Sequence, residues 1–470
     1  MNTINRGTKS HTTGLAAIIF LSLLTSWIAT PSWSGATTYY VSPSGSDSNP
    51  GTQVSPWLTI QKAANMMVAG DTAIVTDGTY VSSGSISFNT SGTVTQPITL
   101  KAQNKWGAIL STAPGCLPQI SLLASYIVLD GLRLRLDPSN VPCSPTTAVS
   151  SNGVMAWIPG TDPEPTPSRP WTTWHHATIR NCWIEQGTRG DGIKSQQDYT
   201  LVENSTVYNG IEIFNNFGSI VRNNTVYGPD IGNSNMVVKG GSRNYQAYNN
   251  LIYMTGTNWI GLWMGGGGGS TTGYLYSWGR ETNDFTEVYN SVAYNNVIIN
   301  QTGNPSVRAL GFAGAKDCAL FNNVVIDGSL FLYRDTYVNI PSVNPTWKNN
   351  IIAGSGAAAT TGFDSTTGAD TAIIDYNNFY NVNGIPSQTH AITGDPLFVN
   401  RLTDWHLQPG SPAIGSGIAL TWTGYTGELI PVNQDKVGTV RTVPWSLGIY
   451  ATSGPPATTM PASPTNLRVQ

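Results

Sequence analysis

A short frame built on asparagine recurs along the middle of this chain, and no other feature restricts its folding as much. The frames are IRNCWI (179–184), VENSTV (202–207), VRNNTV (221–226), AYNNLI (247–252), AYNNVI (293–298), LFNNVV (320–325), WKNNII (347–352) and DYNNFY (375–380). Their first asparagines stand at 181, 204, 223, 249, 295, 322, 349 and 377, and most steps are 19 to 28 residues. The long step from 249 to 295 leaves room for an additional coil around residues 260–264. A period of this size, made of strand-like pieces, marks a solenoid in which each coil adds one strand to several parallel sheets: a parallel β-helix. Inward Val, Ile, Leu and Tyr then stack coil on coil at about 4.8 Å. At a tight corner Asn tolerates the left-handed conformation, and its amide bonds the local chain or the Asn of the next coil. The asparagines therefore read as structural.

Composition agrees. Only 10% of the 470 residues are charged, against about 25% in an average soluble protein. That is too few for long solvated helices and fits β structure with many turns. The formal net charge is −3 and no basic block is present, which argues against nucleic acid as a partner.

Residues 1–36 have the form of a secretory signal: Arg6 and Lys9, an apolar core over 15–28, then Ser34-Gly35-Ala36. The apolar run is too short and too interrupted for a membrane span, so the mature chain is expected outside the cytoplasm, as a monomer. Of the four cysteines, Cys116 and Cys143 lie about one coil apart and are candidates to pair. Cys182 takes the slot filled by Asn or Ser in other frames and reads as a buried free thiol. No metal-ligand cysteine spacing is present.

The expected organisation is a signal peptide (1–36), one β-helix domain (37–452) and a Pro/Thr/Ser-rich linker or tail (453–470). Thr59 can cap a short helix whose apolar residues Ile60, Ala63, Ala64 and Met67 share a face. Such a helix would cover the open end of the solenoid. Two irregular stretches, 137–174 and 261–287, read as long loops that wall a groove.

A second strand precedes several frames: DGIKS (191–195), NGIEI (209–213), NMVVK (235–239) and IGLWM (260–264). With the apolar positions inward, Lys194, Glu212 and Lys239 point outward. They lie ten or eleven residues before their Asn anchors, which places them in one row on successive coils. Asp191 sits at the turn into the first strand, Trp263 extends the row, and Arg189, Arg243 and Arg308 are close in register. Two lysines and a carboxylate on one face suit β-elimination of a uronate-containing polysaccharide. There a base removes the proton α to the sugar carboxylate while a cation stabilises the developing charge. Lys239 is the candidate base. Lys194 acts with it, and Arg243, Glu212, Arg189 and Trp263 are candidate substrate contacts. Asp191 and Glu212 are candidate ligands for Ca²⁺. The bland alternative is a solvated ion-paired stripe. His175-His176 reads as a turn feature and His406 as structural.

The opening stretch YYVSPSGSDSNPGT…PWLTIQKAAN…AGDTAIVTDGTY resembles that of secreted bacterial right-handed parallel β-helix proteins of the pectate-lyase-like superfamily. The closing stretches GDPLFVN (394–400), DWHLQPGSPAIGSG (404–417) and DKVGTVRTVPWSLGIY (435–450) carry the same resemblance. It covers roughly 37–450 and implies an all-β, right-handed parallel β-helix with a short N-terminal capping helix, in an extracellular or cell-surface setting. MVVKGGSRN (236–244) is similar to the Lys-containing segment of calcium-dependent pectate lyases, which implies Lys239 as base. Those enzymes bind calcium through several aspartates, two of them adjacent in an Asp-Asp-Gly stretch. Here the matching stretch is Gly190-Asp191-Gly192, one carboxylate short. The pattern of alginate and chondroitin lyases is matched at Glu212 but not at the two catalytic stretches. The expected function is thus a polysaccharide lyase acting on an acidic polysaccharide. The alternatives are a non-catalytic glycan-binding or surface scaffold, and third a β-helix glycoside hydrolase using Asp191 and Glu212.

Overall fold

Each asparagine frame folds as two short strands meeting at a corner, and a third strand completes the coil. Leu201–Glu203 and Thr206–Tyr208 flank Asn204-Ser205, and Ile211–Phe214 follows. The computed structural model describes residues 35–451 except 83, 113–118, 137–152, 157–173, 186–190, 229–233, 257–259, 267–284, 335–338, 357–359 and 366–370. Like-placed strands pair in parallel into sheets of 12, 11 and 10 strands, here called the first, second and third sheet in coil order. Inward residues form continuous columns. In the first sheet one column runs Leu100, Leu129, Ile179, Val202, Val221, Ala247, Ala293, Leu320, Trp347. Trp347 is fully buried beside Phe312, ring centroids 4.7 Å apart.

The corner between the first and second sheets divides the work of the asparagine pair. The first member is left-handed, with φ between 52° and 60° from Asn181 to Asn349. The second is buried and builds the ladder. Asn250 Nδ2 donates to Asn296 Oδ1 at 2.9 Å, Asn296 to Asn323 at 3.0 Å, Asn323 to Asn350 at 3.0 Å and Asn350 to Asn377 at 2.9 Å. Each of these Oδ1 atoms also accepts the backbone N–H of the preceding Asn. Cys182 and Ser205 fill the same slot upstream, and Gln388 closes the far end on Asn377. In the last coil Tyr376 is the left-handed residue, at φ 57°, and Asn377 is the ladder member. The DYNNFY frame is therefore one residue out of phase with the others. Cys182 is a buried free thiol whose pKa burial pushes up to about 12.

The N-terminal end of the solenoid and two of its outer faces are covered. Thr59 caps the helix Ile60–Met66, and its hydroxyl accepts from Lys62 N. Gln61 of that helix accepts from Ser87 N at 2.9 Å and donates to Ser87 O at 3.1 Å. The side chain thus stands in for a neighbouring strand at the exposed edge of the third sheet. The C-terminal residues pack on two outer faces. Trp405, Leu407, Leu447 and Ile449 lie with Val297, Ile299, Val324 and Ile326 of the second sheet. Leu420, Ile430, Val432 and Trp445 lie with Val292, Tyr294, Ala319 and Phe321 of the first. The outward face of the third sheet joins neither cluster. Within 418–441 the chain also reads the left-handed asparagines. Ile418 O accepts from Asn349, Val432 O from Asn322 and Gln434 O from Asn295, while Lys436 Nζ donates to Asn249 O.

Two organisational expectations are corrected. Gln246–Tyr248 pairs directly with Val292–Tyr294, so the long step holds one coil with an excursion, and Ile260–Gly265 is that coil's own third-sheet strand. The stretch 137–174 also contains the third-sheet strand Val154–Ala156, paired to Ile193–Ser195. Residues 137–152 and 157–173, residues 1–34 of the signal-like segment, Cys116, Cys143 and the tail lie outside the described residues. Among the described residues no helix is long and apolar enough to cross a membrane.

Candidate functional site

The outward face of the third sheet gathers four charged groups from three strands and one turn. Met155, Lys194, Glu212, Val237 and Trp263 occupy one row in register. Lys239 is not in that row; it lies opposite Phe214, two residues further along its strand. Alternate residues share a face, so it still points the same way, and its Nζ reaches Glu212 Oε1 at 3.3 Å. Lys194 Nζ lies 3.1 Å from the same oxygen and 3.8 Å from Asp191 Oδ2. The Phe214 ring lies 5.1 Å from Lys194 Nζ, adding a cation–π contact. Asp191 is 6% exposed and Glu212 9%.

These surroundings separate the two carboxyls. Burial alone would raise the Glu212 pKa, but the ammonium groups of Lys239 and Lys194, which also donate hydrogen bonds to it, hold it below the usual value. Asp191 moves the other way, to about 7: burial and the Glu212 charge raise it, and the two lysines offset only part of this. A hydrogen bond between Asp191 and Glu212 favours the protonated Asp191. The face thus presents an ionised carboxylate between two ammonium groups, next to a carboxyl that carries a proton near neutrality.

The other sequence candidates are placed differently. Arg243 belongs to the strand Ser242–Arg243 beyond the Gly240–Gly241 turn, and it is 4% exposed. Its guanidinium lies 4.5 Å from the Tyr289 ring and donates to Tyr425 Oη at 3.1 Å. The turn carries it off the face, so it does not join the Lys194–Glu212–Lys239 group. Trp263 keeps its place in the row and packs edge-on to Phe331, centroids 6.3 Å apart. Arg308 pairs with Asp364 at 3.2 Å. Arg189 lies outside the described residues, as do most of the expected groove walls. His176 is a left-handed turn residue stacked between Tyr126 and Tyr199, at 4.7 Å from each. His406 stacks on Tyr450 at 3.7 Å and bonds Asp404 at 2.6 Å.

Sequence reasoning missed Phe214 and Glu287. Glu287 is fully buried, and its Oε2 accepts the N–H of Gly240 at 2.7 Å, fixing the turn next to Lys239. Its one signal is a carboxylate directly before an apolar strand in a chain with few charges.

A calcium ion takes six to eight oxygen ligands at about 2.3–2.6 Å. Here Glu212 Oε1 already faces two ammonium groups, and that of Lys194 also stands beside Asp191, the other carboxyl that would hold the ion. With two ammonium groups against two carboxyls, the donor set as arranged does not fit a dication. Among the described residues no three His, Cys, Asp or Glu side chains converge on a metal position.

The stacked coils define a right-handed parallel β-helix protein of the pectate-lyase-like fold. Residues 39–157 match the family model described as a Pel9A-like, right handed beta helix region. The solved structure of the pectate lyase Pel9A is similar with a TM-score of 0.54 at 14% identity, over 89% of this chain and 97% of that one. The structure of XylC in complex with xylose is similar with a TM-score of 0.52 at 12% identity, over 88% and 98%. At these identities the likeness is one of fold. No curated protein matches the chain.

Proposed function

We propose that the mature protein is a secreted lyase that cleaves a uronate-containing polysaccharide by β-elimination on the outward face of the third sheet. The observation that carries this reading is the pairing of two lysines with one buried carboxylate on that face, 3.1 and 3.3 Å from Glu212 Oε1. In this reading Lys239 is the base that removes the proton α to the sugar carboxylate. Lys194 stabilises the charge that develops on that carboxylate. Asp191, protonated near neutrality, supplies the proton that the departing glycosidic oxygen needs. Glu212 holds both lysines in place. A hydrolase reading is disfavoured, because its two carboxyls must stand at least about 5 Å apart to admit the anomeric carbon. Asp191 and Glu212 are instead hydrogen-bonded to each other.

Elimination leaves an unsaturated uronate that absorbs at about 235 nm, the product of the proton abstraction described above. Polygalacturonate, alginate, glucuronan and chondroitin sulfate are the substrates to offer. A rise with one of them is expected, and Lys239→Ala should lower the rate by about 10² or more while leaving the circular dichroism of the coil unchanged. No rise on any of the four, with glycan binding retained, would leave the binding-scaffold reading in its place.

A further inference from the structure

The position of Lys194 says more than that a second cation is present. Its ammonium lies 3.1 Å from Glu212 Oε1 and 3.8 Å from Asp191 Oδ2, and its side chain is 18% exposed. The two carboxyls come from adjacent coils, since Ile193–Ser195 pairs with Ile211–Phe214. A cation bridging these carboxyls would meet an ammonium that already contacts both. Lys239 closes the same Glu212 oxygen from the next coil. A divalent ion could enter only by displacing one ammonium and facing the other, while needing several more oxygens than the two carboxyls provide.

We propose that this site works without a metal ion, and that the Lys194 ammonium is the built-in cation that a divalent ion would otherwise supply. Its catalytic half rests on the elimination reading: Lys194 would neutralise the substrate carboxylate as the proton leaves. Its structural half does not, because occupation of the carboxyl pair by an ammonium is a property of the folded chain alone. The arrangement also gives the site a requirement for charge without a requirement for calcium in its surroundings.

Calcium titration by calorimetry at about pH 8.5, above the Asp191 pKa, tests the structural half on the full mature chain. The wild type should show no saturable heat. Lys194→Ala, which removes the ammonium from beside both carboxyls, should gain calcium binding in the roughly millimolar range of weak extracellular sites. Lys194→Met loses the charge but keeps most of the stem volume, and it should bind more weakly than Lys194→Ala. Saturable calcium binding by the wild type would overturn the proposal, and so would the absence of any gain in Lys194→Ala. Lys194 points outward from the coil, and the wild-type titration stands whether or not a variant folds.

The catalytic half is read with EDTA at about 235 nm, the wavelength at which the elimination product is followed. Wild-type elimination should be unchanged by EDTA. Lys194→Ala should lose at least about tenfold in rate and recover part of it when calcium is added. Elimination that stops in EDTA and returns with calcium would overturn the proposal while the lyase reading stands. If no substrate gives a signal, the lyase reading fails, and the titrations still decide whether an ammonium has replaced a metal ion.

Discussion

Asp191 does not behave with pH as an ordinary aspartate does. Its folded-state pKa of about 7 lies above the ordinary value of 3.8. Between these values the unfolded chain has lost the proton and the folded chain keeps it, so this group makes stability fall as pH rises from about 4 to about 7. Asp191→Asn should remove that slope, so the melting temperatures of variant and wild type should converge near pH 4 and separate in the variant's favour toward pH 7. Equal pH profiles would show that Asp191 is not a buried proton carrier. The sequence revealed the face of Lys194, Glu212 and Lys239, because alternation along a strand fixes which side a residue occupies. It did not reveal register. That depends on strand and corner lengths: Ser234–Lys239 has six residues where Ile211–Phe214 has four. Arg243 was misplaced for a related reason, since Gly240 and Gly241, with φ of 71° and 81°, turn the chain off the face before it.

At the scale of the element, the corner shows why the Asn pair was so easily read. Its two members are held by different constraints, one by backbone conformation and one by amide geometry, and both apply in each coil from Asn223-Asn224 to Asn349-Asn350. An internal ladder member serves as donor and acceptor at once. Asn296 accepts from Asn250 and donates to Asn323 and to Ala247 O. Asn296→Ala should therefore leave buried partners unmatched and cost about 2–4 kcal/mol in urea unfolding. By contrast Asn204 is exposed and left-handed, at φ 52°. Asn204→Gly should be close to neutral. A ladder variant no worse than the corner variant would contradict this division of roles. The strand Val154–Ala156 escaped notice because three residues carry too little alternation to stand out from a Pro-, Ser- and Thr-rich stretch. Tyr376 shows the opposite limit: the frame motif is present there, yet the left-handed position has moved onto a tyrosine.

At the scale of the whole molecule, the C-terminal segment binds the coils together at a cost in buried charge. Lys436 is half-buried, its Nζ hydrogen-bonded to Asn249 O, and burial lowers its pKa from 10.5 to about 8. Above pH 8 the folded chain gives up this proton before the unfolded chain does, so the group's penalty shrinks as pH rises from about 8 to 10.5. Lys436→Met should accordingly raise the melting temperature at pH 7 by about 1–3 °C, and the gain should fade toward pH 10.5. A variant that melts lower at pH 7 would mean that the Asn249 contact outweighs the burial of charge. The same segment also acts as a ruler. Val432, Gln434 and Lys436, two residues apart, meet Asn322, Asn295 and Asn249, one coil apart. Repeat proteins ordinarily lengthen or shorten by whole units, since each unit contacts only its neighbours. Here a coil inserted or removed between Asn249 and Asn322 would put every later graduation out of step, which confines growth and loss of coils to the part of the helix the ruler does not measure.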